Sequence, residues 1–381
     1  MRQLKNILYS KNKIRTSCFL IPFSLATAFL NPFSAPGMSF AESDTVTIND
    51  GPYIYFDFNI LKIRWIENNH LMEEDLTASN FDDFRHKFNL LYNFYDLYDA
   101  FLVSPGFRQD YRKIDSIALI SDIHGQYDIY YNLLKKNGII DENLCWKFGK
   151  GHLVVSGDVF DRGDRVTEIF WHLFGLEKQA RKNGGRVHLL LGNHELMILS
   201  RATGYIHDKY EEVENITGMF YSDLYSENSV LGSWLRSKPV IVSINDIIFV
   251  HAGLSADIIK RKIKIRKINR LFHEKIIGKD YFHIEKSKDL QLLNDENGPL
   301  WYRGYFLDES FKESRIDSIL DFYKKKHVVV GHTVLKEILS FFDKKIIGCD
   351  TGIMYRRPGE MLIIKKEVFY RALSNGERII L

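Results

Sequence analysis

HLVVSGDVFDRG, residues 152–163, sets a short apolar run directly before a turn that carries two aspartates and an arginine. A run this short and this apolar reads as a strand, and the glycine after it marks where the strand ends. The same grammar recurs outward in both directions. Upstream, Ile117–Ile120 leads into SDIHG (Ser121–Gly125), and downstream Val187–Leu191 leads into GNHE (Gly192–Glu195). Farther on, Ile247–Val250 leads into HAG (His251–Gly253) and Val328–Val330 into GHT (Gly331–Thr333). Helical patterns at Tyr127–Lys136 and Arg165–Asn183 separate the first three strands. Strand, polar loop and helix in repetition predict a parallel α/β layer, whose ligands lie beyond the carboxyl ends of the strands.

The second half of the chain changes style. Ile241–Ile244 and Ile247–Val250 flank Asn245-Asp246, which predicts a hairpin; Ile346–Ile347 and Met361–Ile364 predict further strands. The expected fold class is α/β (α+β), two sheets packed face to face with helices outside. Segments 201–236 and 255–310 are long inserts expected to form the walls and lid of a cleft. Residues 42–113 carry no motif. They are rich in Tyr and Phe, with an extended patch at Tyr53–Phe58 and a helical pattern near Phe81–Phe101. They read as an N-terminal subdomain packed on a catalytic domain spanning 114–381.

The chain has 381 residues, 45% of them hydrophobic, enough for a large core. Residues 1–41 are a different material. Arg2, Lys5, Lys11, Lys13 and Arg15 form a basic start without an acid, Ser17–Leu30 is apolar, and Ser39-Phe40-Ala41 precedes Glu42. This pattern predicts a cleaved signal peptide and a periplasmic or secreted protein. The competing reading is a membrane anchor, but the apolar run falls short of the ~20 residues a spanning helix needs. No stable membrane span is expected after cleavage. Cleavage removes five of the 52 Lys and Arg, leaving 47 against 49 Asp and Glu, a net charge of −2. The basicity of the whole chain is therefore a targeting feature, and no nucleic-acid partner is expected. One local run stands out: Lys260, Arg261, Lys262, Lys264, Arg266, Lys267 and Arg270, interleaved with Ile263, Ile265 and Ile268. A solvated helix face is the expected role, contact with an anionic partner or a membrane surface the alternative. Cys145 and Cys349 remain after cleavage. Two free thiols are expected, although an oxidising compartment permits a disulfide. Neither belongs to a zinc-type cluster, so metals must be held by oxygen and imidazole.

The motifs supply that ligand set. Asp122 and His124 are two apart, so at an extended strand end they point to one side. Asp158 has two oxygens and can bridge two cations, as two-metal sites require. Asn193 adds a neutral carbonyl oxygen, and His251 and His332 add two nitrogens. This mixture suits two divalent ions, with manganese, iron and zinc as the candidates. His194 follows Asn193 directly, and neighbours on an extended backbone point apart. It is expected to face the substrate as general acid, oriented by Asp161. Arg162 and Arg303 have the forked geometry that fits phosphate oxygens. Each piece has a bland alternative: a lone histidine is usually structural, Asp161-Arg162 alone fits a surface ion pair, and Trp301-Tyr302 beside Arg303 suit core packing. Five motifs in order, each at a predicted strand end, do not arise from packing.

With these residues in view, the chain resembles the phosphoprotein phosphatase family of calcineurin-like metallophosphoesterases over roughly Ile114–Ile364. GDVFDRG and GNHE are its most specific motifs. The resemblance implies a β-sandwich flanked by helices and metal ligands at Asp122, His124, Asp158, Asn193, His251 and His332. It also implies a catalytic pair, His194 and Asp161, and phosphate-binding Arg162 and Arg303. Eukaryotic members usually place an arginine just before GNHE, where this chain has Leu191. Gly232–Val240 (GSWLRSKPV), FVHAGLS and PLWYRG look like the bacterial-type Shewanella-like branch. The implied reaction is hydrolysis of a phosphomonoester in a phosphoprotein or phosphopeptide, on Ser/Thr or Tyr, by a metal-bridging hydroxide. Dinucleoside polyphosphate hydrolysis and broad periplasmic phosphohydrolysis are the alternatives; Asp161-Arg162-Gly163 argues against the first. A non-catalytic scaffold is disfavoured because every candidate ligand is present. Length and composition do not determine the oligomeric state.

Overall fold

The computed structural model describes residues 47–57, 60–102, 108–279 and 287–381. The expected signal peptide lies outside the described residues. Near the N-terminus β1 (Asp50–Asp57), β2 (Ile60–Glu67) and β3 (His70–Leu76) form an antiparallel meander. The strands that follow are β4 (Asp110–Tyr111), β5 (Ser116–Ile120), β6 (His152–Val155), β7 (Arg186–Leu189), β8 (Ile241–Ile244) and β9 (Ile247–Val250). The last are β10 (His327–Val330), β11 (Leu339–Phe341), β12 (Ile346–Gly348), β13 (Glu360–Lys365), β14 (Val368–Leu373) and β15 (Arg378–Ile380). They assemble into two sheets ordered β15-β14-β13-β5-β6-β7 and β11-β12-β10-β9-β8-β4. β5, β6 and β7 are parallel, as are β9, β10 and β12, while β13 runs antiparallel to β5.

Alternation along the strands decides how these sheets pack. Ile117 and Leu119 of β5 join Val154 of β6, Phe249 of β9, Val329 of β10 and Leu362 of β13 in one buried cluster. Their neighbours Ala118, Ile120, Leu153, Val155, Ile248, Val330 and Ile363 belong to a second cluster shared with the helices. Successive side chains leave opposite faces of a strand, so one face of each sheet meets the other sheet and the opposite face meets helices. Both faces are apolar because both are covered, which is why these strands read as continuous apolar runs.

The expected elements of the core appear nearly in place. Tyr127–Lys136 is a helix, Val166–Lys182 is another, and the hairpin turns at Asn245, whose φ is 53°. Two details differ. The helical pattern near Phe81–Phe101 breaks into a helix at Phe81–Lys87, a 3-10 turn at Phe94–Leu97 and a short helix at Asp99–Leu102. Asn93 stops any continuation, because its side chain accepts from Asp96 N–H and caps a new turn. β4, inside the segment assigned to the N-terminal subdomain, pairs with β8 and forms the edge of the second sheet. Cys145 and Cys349 are free thiols, the former half-buried and the latter buried. No helix among the described residues is long and apolar enough to cross a membrane.

Helix Val166–Lys182 buries His172 with both ring nitrogens engaged. Nδ1 pairs with Tyr130 OH at 2.8 Å and Nε2 with the Leu144 carbonyl at 2.9 Å. That arrangement satisfies a neutral imidazole, and burial lowers its pKa from 6.5 to about 4. The unfolded chain therefore takes up a proton that the native chain refuses. This contribution is complete above pH 6.5 and is lost as pH falls toward 4, at a cost of up to ~3 kcal/mol. Urea unfolding at pH 7 and pH 4.5 is expected to show a shallower pH dependence for His172→Gln than for the parent chain. Equal slopes for the two proteins contradict this assignment.

Candidate metal centre

The polar loops all leave the carboxyl ends of parallel strands, from both sheets. Asp122 and His124 follow β5, Asp158 and Asp161 follow β6, and Asn193 and His194 follow β7. His251 follows β9 and His332 follows β10. All eight side chains are buried, His251 completely. Two pairs of glycines bring the loops this close. Gly157 has φ +87°, and a Cβ there would lie 2.4 Å from Gly192 N. Gly125 has φ +65°, and a Cβ there would lie 2.7 Å from the Gly163 backbone. Any other residue would force the motifs apart.

Asp158 is the hub. It belongs to two groups whose donor atoms lie within 4.8 Å of one another: His124, Asp158 and His194, and Asp158, His251 and His332. Its Oδ2 is 3.7 Å from His124 Nε2 and 3.3 Å from His251 Nε2. His251 Nε2 also lies 2.9 Å from Asn193 Oδ1 and 3.1 Å from His332 Nδ1. A single proton on His251 thus faces three acceptors, and its pKa is pushed up to about 9. Burial opposes protonation there, but Asp158 and Asp122 outweigh it. His332 Nε2 is buried without a hydrogen-bond partner among the described residues. Burial, then His251 and Arg303, lower the His332 pKa to about 2; burial lowers that of His124 to about 4. Both imidazoles are neutral at neutral pH and hold the lone pair a metal requires. The donor set fits divalent ions.

Asp122 is held by its neighbours: its carboxylate accepts from Ser121 Oγ and from His332 N–H at 3.0 Å. The premise of an extended strand end does not hold here. β5 ends at Ile120, and Asp122 and His124 have φ of 51° and 47°, so the backbone coils rather than extends. The Asn193–His194 argument is corrected in the same way. These residues open the helix Asn193–Leu199 instead of extending a strand, yet their side chains still diverge. Asn193 reaches His251, whereas His194 Nδ1 pairs with Asp161 Oδ2 in a short hydrogen bond. His194 has its pKa raised: burial pulls it down, but Asp158 and Asp161 more than compensate.

The two arginines have different neighbours. Arg162, exposed, lays its guanidinium 4.5 Å over the Tyr205 ring and acts on His124. Arg303 Nη1 donates to the His332 carbonyl at 2.6 Å. A groove of about 1340 Å3, lined by Trp301, Tyr302, Arg303 and Leu307, opens beside it.

Three residues escaped sequence reasoning. Tyr205 packs edge-on to His194 at 5.6 Å and accepts Arg162 N–H on its carbonyl at 3.0 Å; its loop carries no signal. Asp350 is buried next to Asp122, and burial, then Asp122, raise its pKa well above normal. The strand-end rule applied to β12 could have found it. Glu195 is the third. Its carboxylate accepts N–H groups of Asp158 and Gly192 at 2.7 Å and of Val159 at 2.8 Å, with Phe160 at 3.3 Å. It ties GNHE to GDVFDRG with no exposed surface. A buried N–H left unpaired costs ~1–3 kcal/mol. Glu195→Gln is therefore expected to lose about 3 kcal/mol in urea unfolding and to lose bound metal, read by elemental analysis. Unchanged stability and metal content would remove Glu195 from this role.

The geometry agrees with comparisons to known proteins. The family model for calcineurin-like phosphoesterase matches residues 116–336. Shewanella-like protein phosphatase 1 of Plasmodium berghei is 34% identical over 262 residues, 64% of this chain and 70% of that protein. A symmetrical bis(5'-nucleosyl)-tetraphosphatase of Buchnera aphidicola is 32% identical over 169 residues, 44% of this chain and 54% of that protein. The crystal structure of a cold-active protein-tyrosine phosphatase from a psychrophilic Shewanella species superposes with a TM-score of 0.79 at 34% identity, covering 88% of this chain and all of that one. The chain belongs to the calcineurin-like phosphoesterase family, a family of divalent-metal phosphatases, and within it resembles the Shewanella-like phosphatases at both sequence and fold level.

Proposed function

We propose that this phosphatase is an exported, dinuclear metal enzyme that dephosphorylates proteins. The observation that carries the reading is the Asp161–His194 pair beside Asp158, whose carboxylate lies among two sets of donor atoms able to hold a metal. Asp122, His124, Asp158, Asn193, His251 and His332 are the proposed ligands, with manganese the leading ion and iron or zinc the alternatives. When bound, the ions would supply Lewis acidity and an activated water. The chain's own residues do the rest. Asp161 takes a hydrogen bond from His194 Nδ1 and holds the ring with Nε2 facing the site. The carboxylates around His194 favour its protonated form, so it gives a proton to the departing oxygen. Arg162 and Arg303 hold the phosphoryl oxygens and offset their growing charge. Burial excludes bulk water from the ligands. The basic, apolar and small-residue succession in residues 1–41 supports export to the periplasm or medium.

Protein substrates are favoured because two relatives aligned over most of their length, from Plasmodium berghei and from a Shewanella species, are named protein phosphatases. The Buchnera tetraphosphatase keeps dinucleoside polyphosphates as the second reading, on a match to less than half of this chain.

With manganese, residues 42–381 are expected to hydrolyse p-nitrophenyl phosphate; inactivity across all three metals sinks the enzymatic reading. His194→Asn should lower kcat by ~10^2–10^4 and keep its metal, whereas Asp158→Asn should lose metal. Metal loss in His194→Asn would make His194 a ligand instead. A panel of phosphoserine, phosphothreonine and phosphotyrosine peptides against diadenosine tetraphosphate should show higher kcat/KM for a peptide. Preference for the dinucleotide reverses the substrate assignment.

A further inference from the structure

The basic run at 260–270 is not one solvated helix face. It divides into the helices Ala256–Lys260 and Ile265–Leu271, with Ile263 buried in the link between them and Ile268 buried within the second. Its cations also divide. Lys260 pairs with Asp257, and Arg261 and Lys267 pair with Asp289. Lys264, Arg266 and Arg270 instead line a cavity of about 1240 Å3.

This cavity lies at the far end of the sandwich from the metal centre. Its walls include Ile114-Asp115 just before β5, Asn245-Asp246 just before β9 and Lys324-Lys325 just before β10. Those strands carry metal-centre residues at their opposite ends. Six residues separate Asp115 from Asp122, on the order of 20 Å of chain. A ligand here does not reach the reacting phosphoryl group.

The lining is strongly cationic in a mature chain of net charge −2. Nine Lys and Arg face five Asp and Glu, a surplus of four. Two of the five acids are held in ion pairs, one of them by a lysine outside the lining. Asp110 receives Lys325 at 2.9 Å and Arg112 at 3.1 Å, and Asp246 receives Lys326 at 2.8 Å. Lys113, Arg266 and Arg270 are exposed and have no ion-pair partner among the described residues. They come from two separate stretches of chain that converge on one concavity. Apolar surface is present too: Ile265, Phe322 and Tyr323 line the same walls, with Lys264 Nζ 3.4 Å over the Phe322 ring.

The geometry points to a docking groove for an acidic, partly apolar peptide segment of a protein substrate, a proposal that rests on the phosphoprotein reading. Concavity disfavours a membrane surface, which needs a flat or convex face. The mixture of cations with aliphatic and aromatic walls suits carboxylates spaced by apolar side chains better than a bare polyanion. Outside the lining, residues 42–381 carry more acids than bases, which does not favour a long nucleic acid. Tethering through this groove would raise the effective concentration of a phosphosite at the metal centre without touching the chemistry.

Lys113→Gln/Arg266→Gln/Arg270→Gln removes the three unpaired charges from exposed positions. Fluorescence anisotropy with a fluorescein-labelled peptide of glutamates around an isoleucine is expected to show binding that weakens roughly tenfold in this variant. Binding should also weaken with added salt and should be lost when the peptide's glutamates become glutamines. In a phosphopeptide joined to that segment by a ~15-residue linker, KM should rise in the variant while kcat and p-nitrophenyl phosphate hydrolysis stay unchanged. Equal anisotropy for parent and variant overturns the groove. Tighter binding to phosphatidylglycerol vesicles or to oligo(dT) overturns the choice of a peptide. Hydrolysis of p-nitrophenyl phosphate but of no phosphopeptide overturns the phosphoprotein reading and leaves anisotropy to judge the groove by itself.

Discussion

One carboxylate with no access to water holds the site in shape. Glu195 gathers N–H groups from Asp158, Val159, Phe160 and Gly192, joining the loop after β6 to the loop after β7. Without it, those donors would be buried and unpaired at the point where the backbone turns away from the sheet. The bonds also set where Asp158 stands, and Asp158 is the side chain about which the other ligands are arranged. Burial and the nearby Asp158 charge raise the Glu195 pKa, while the backbone N–H groups oppose that rise. Donated hydrogen bonds thus substitute for the solvation that Glu195 has lost.

The second constraint is the distance between the sheets. Asp122, His124, Asp158, Asn193 and His194 come from the sheet built on β5, β6 and β7; His251 and His332 come from β9 and β10 of the other. Asp158 meets His251 only because Leu119, Val154, Phe249 and Val329 fill the space between the sheets. Native interiors tolerate little change in volume, so this core acts as the spacer of the metal centre. The opposite end of the same strands opens into the cationic groove. One sandwich therefore separates a chemical end from a charged end, and a substrate segment bound at one would not disturb the other.

Much of this architecture is legible in the amino-acid sequence. The core strands announce themselves because both of their faces are covered, and the helices between them follow from periodicity. β3 and β15 do not, because nearly every residue in them is exposed and no apolar pattern marks them. Residue types are legible in the polar loops: the aspartates, imidazoles and asparagine that the structure gathers around Asp158 all stand in motifs that follow apolar runs. Backbone conformation is not. The readings of Asp122–His124 and Asn193–His194 assume extended chain, whereas the first pair coils with positive φ and the second opens a helix. Such conformations are imposed by neighbouring loops, which a linear string does not place in contact.

By itself, the amino-acid sequence determined the fold class, the order of the ligand-bearing loops and the kind of chemistry they serve. Each of these depends on local pattern or on the identity of a side chain. Only the tertiary structure decided which residues share a centre. It joined Asp122 to the backbone N–H of His332, oriented His194 through Asp161, and recruited Glu195, Tyr205 and Asp350. It also gathered Lys113 with Arg266 and Arg270 from distant stretches into one groove. The physical reason is the same in each case. Hydrogen bonds and charge interactions act over a few ångströms of space, and packing of the two sheets, not separation along the chain, sets those distances.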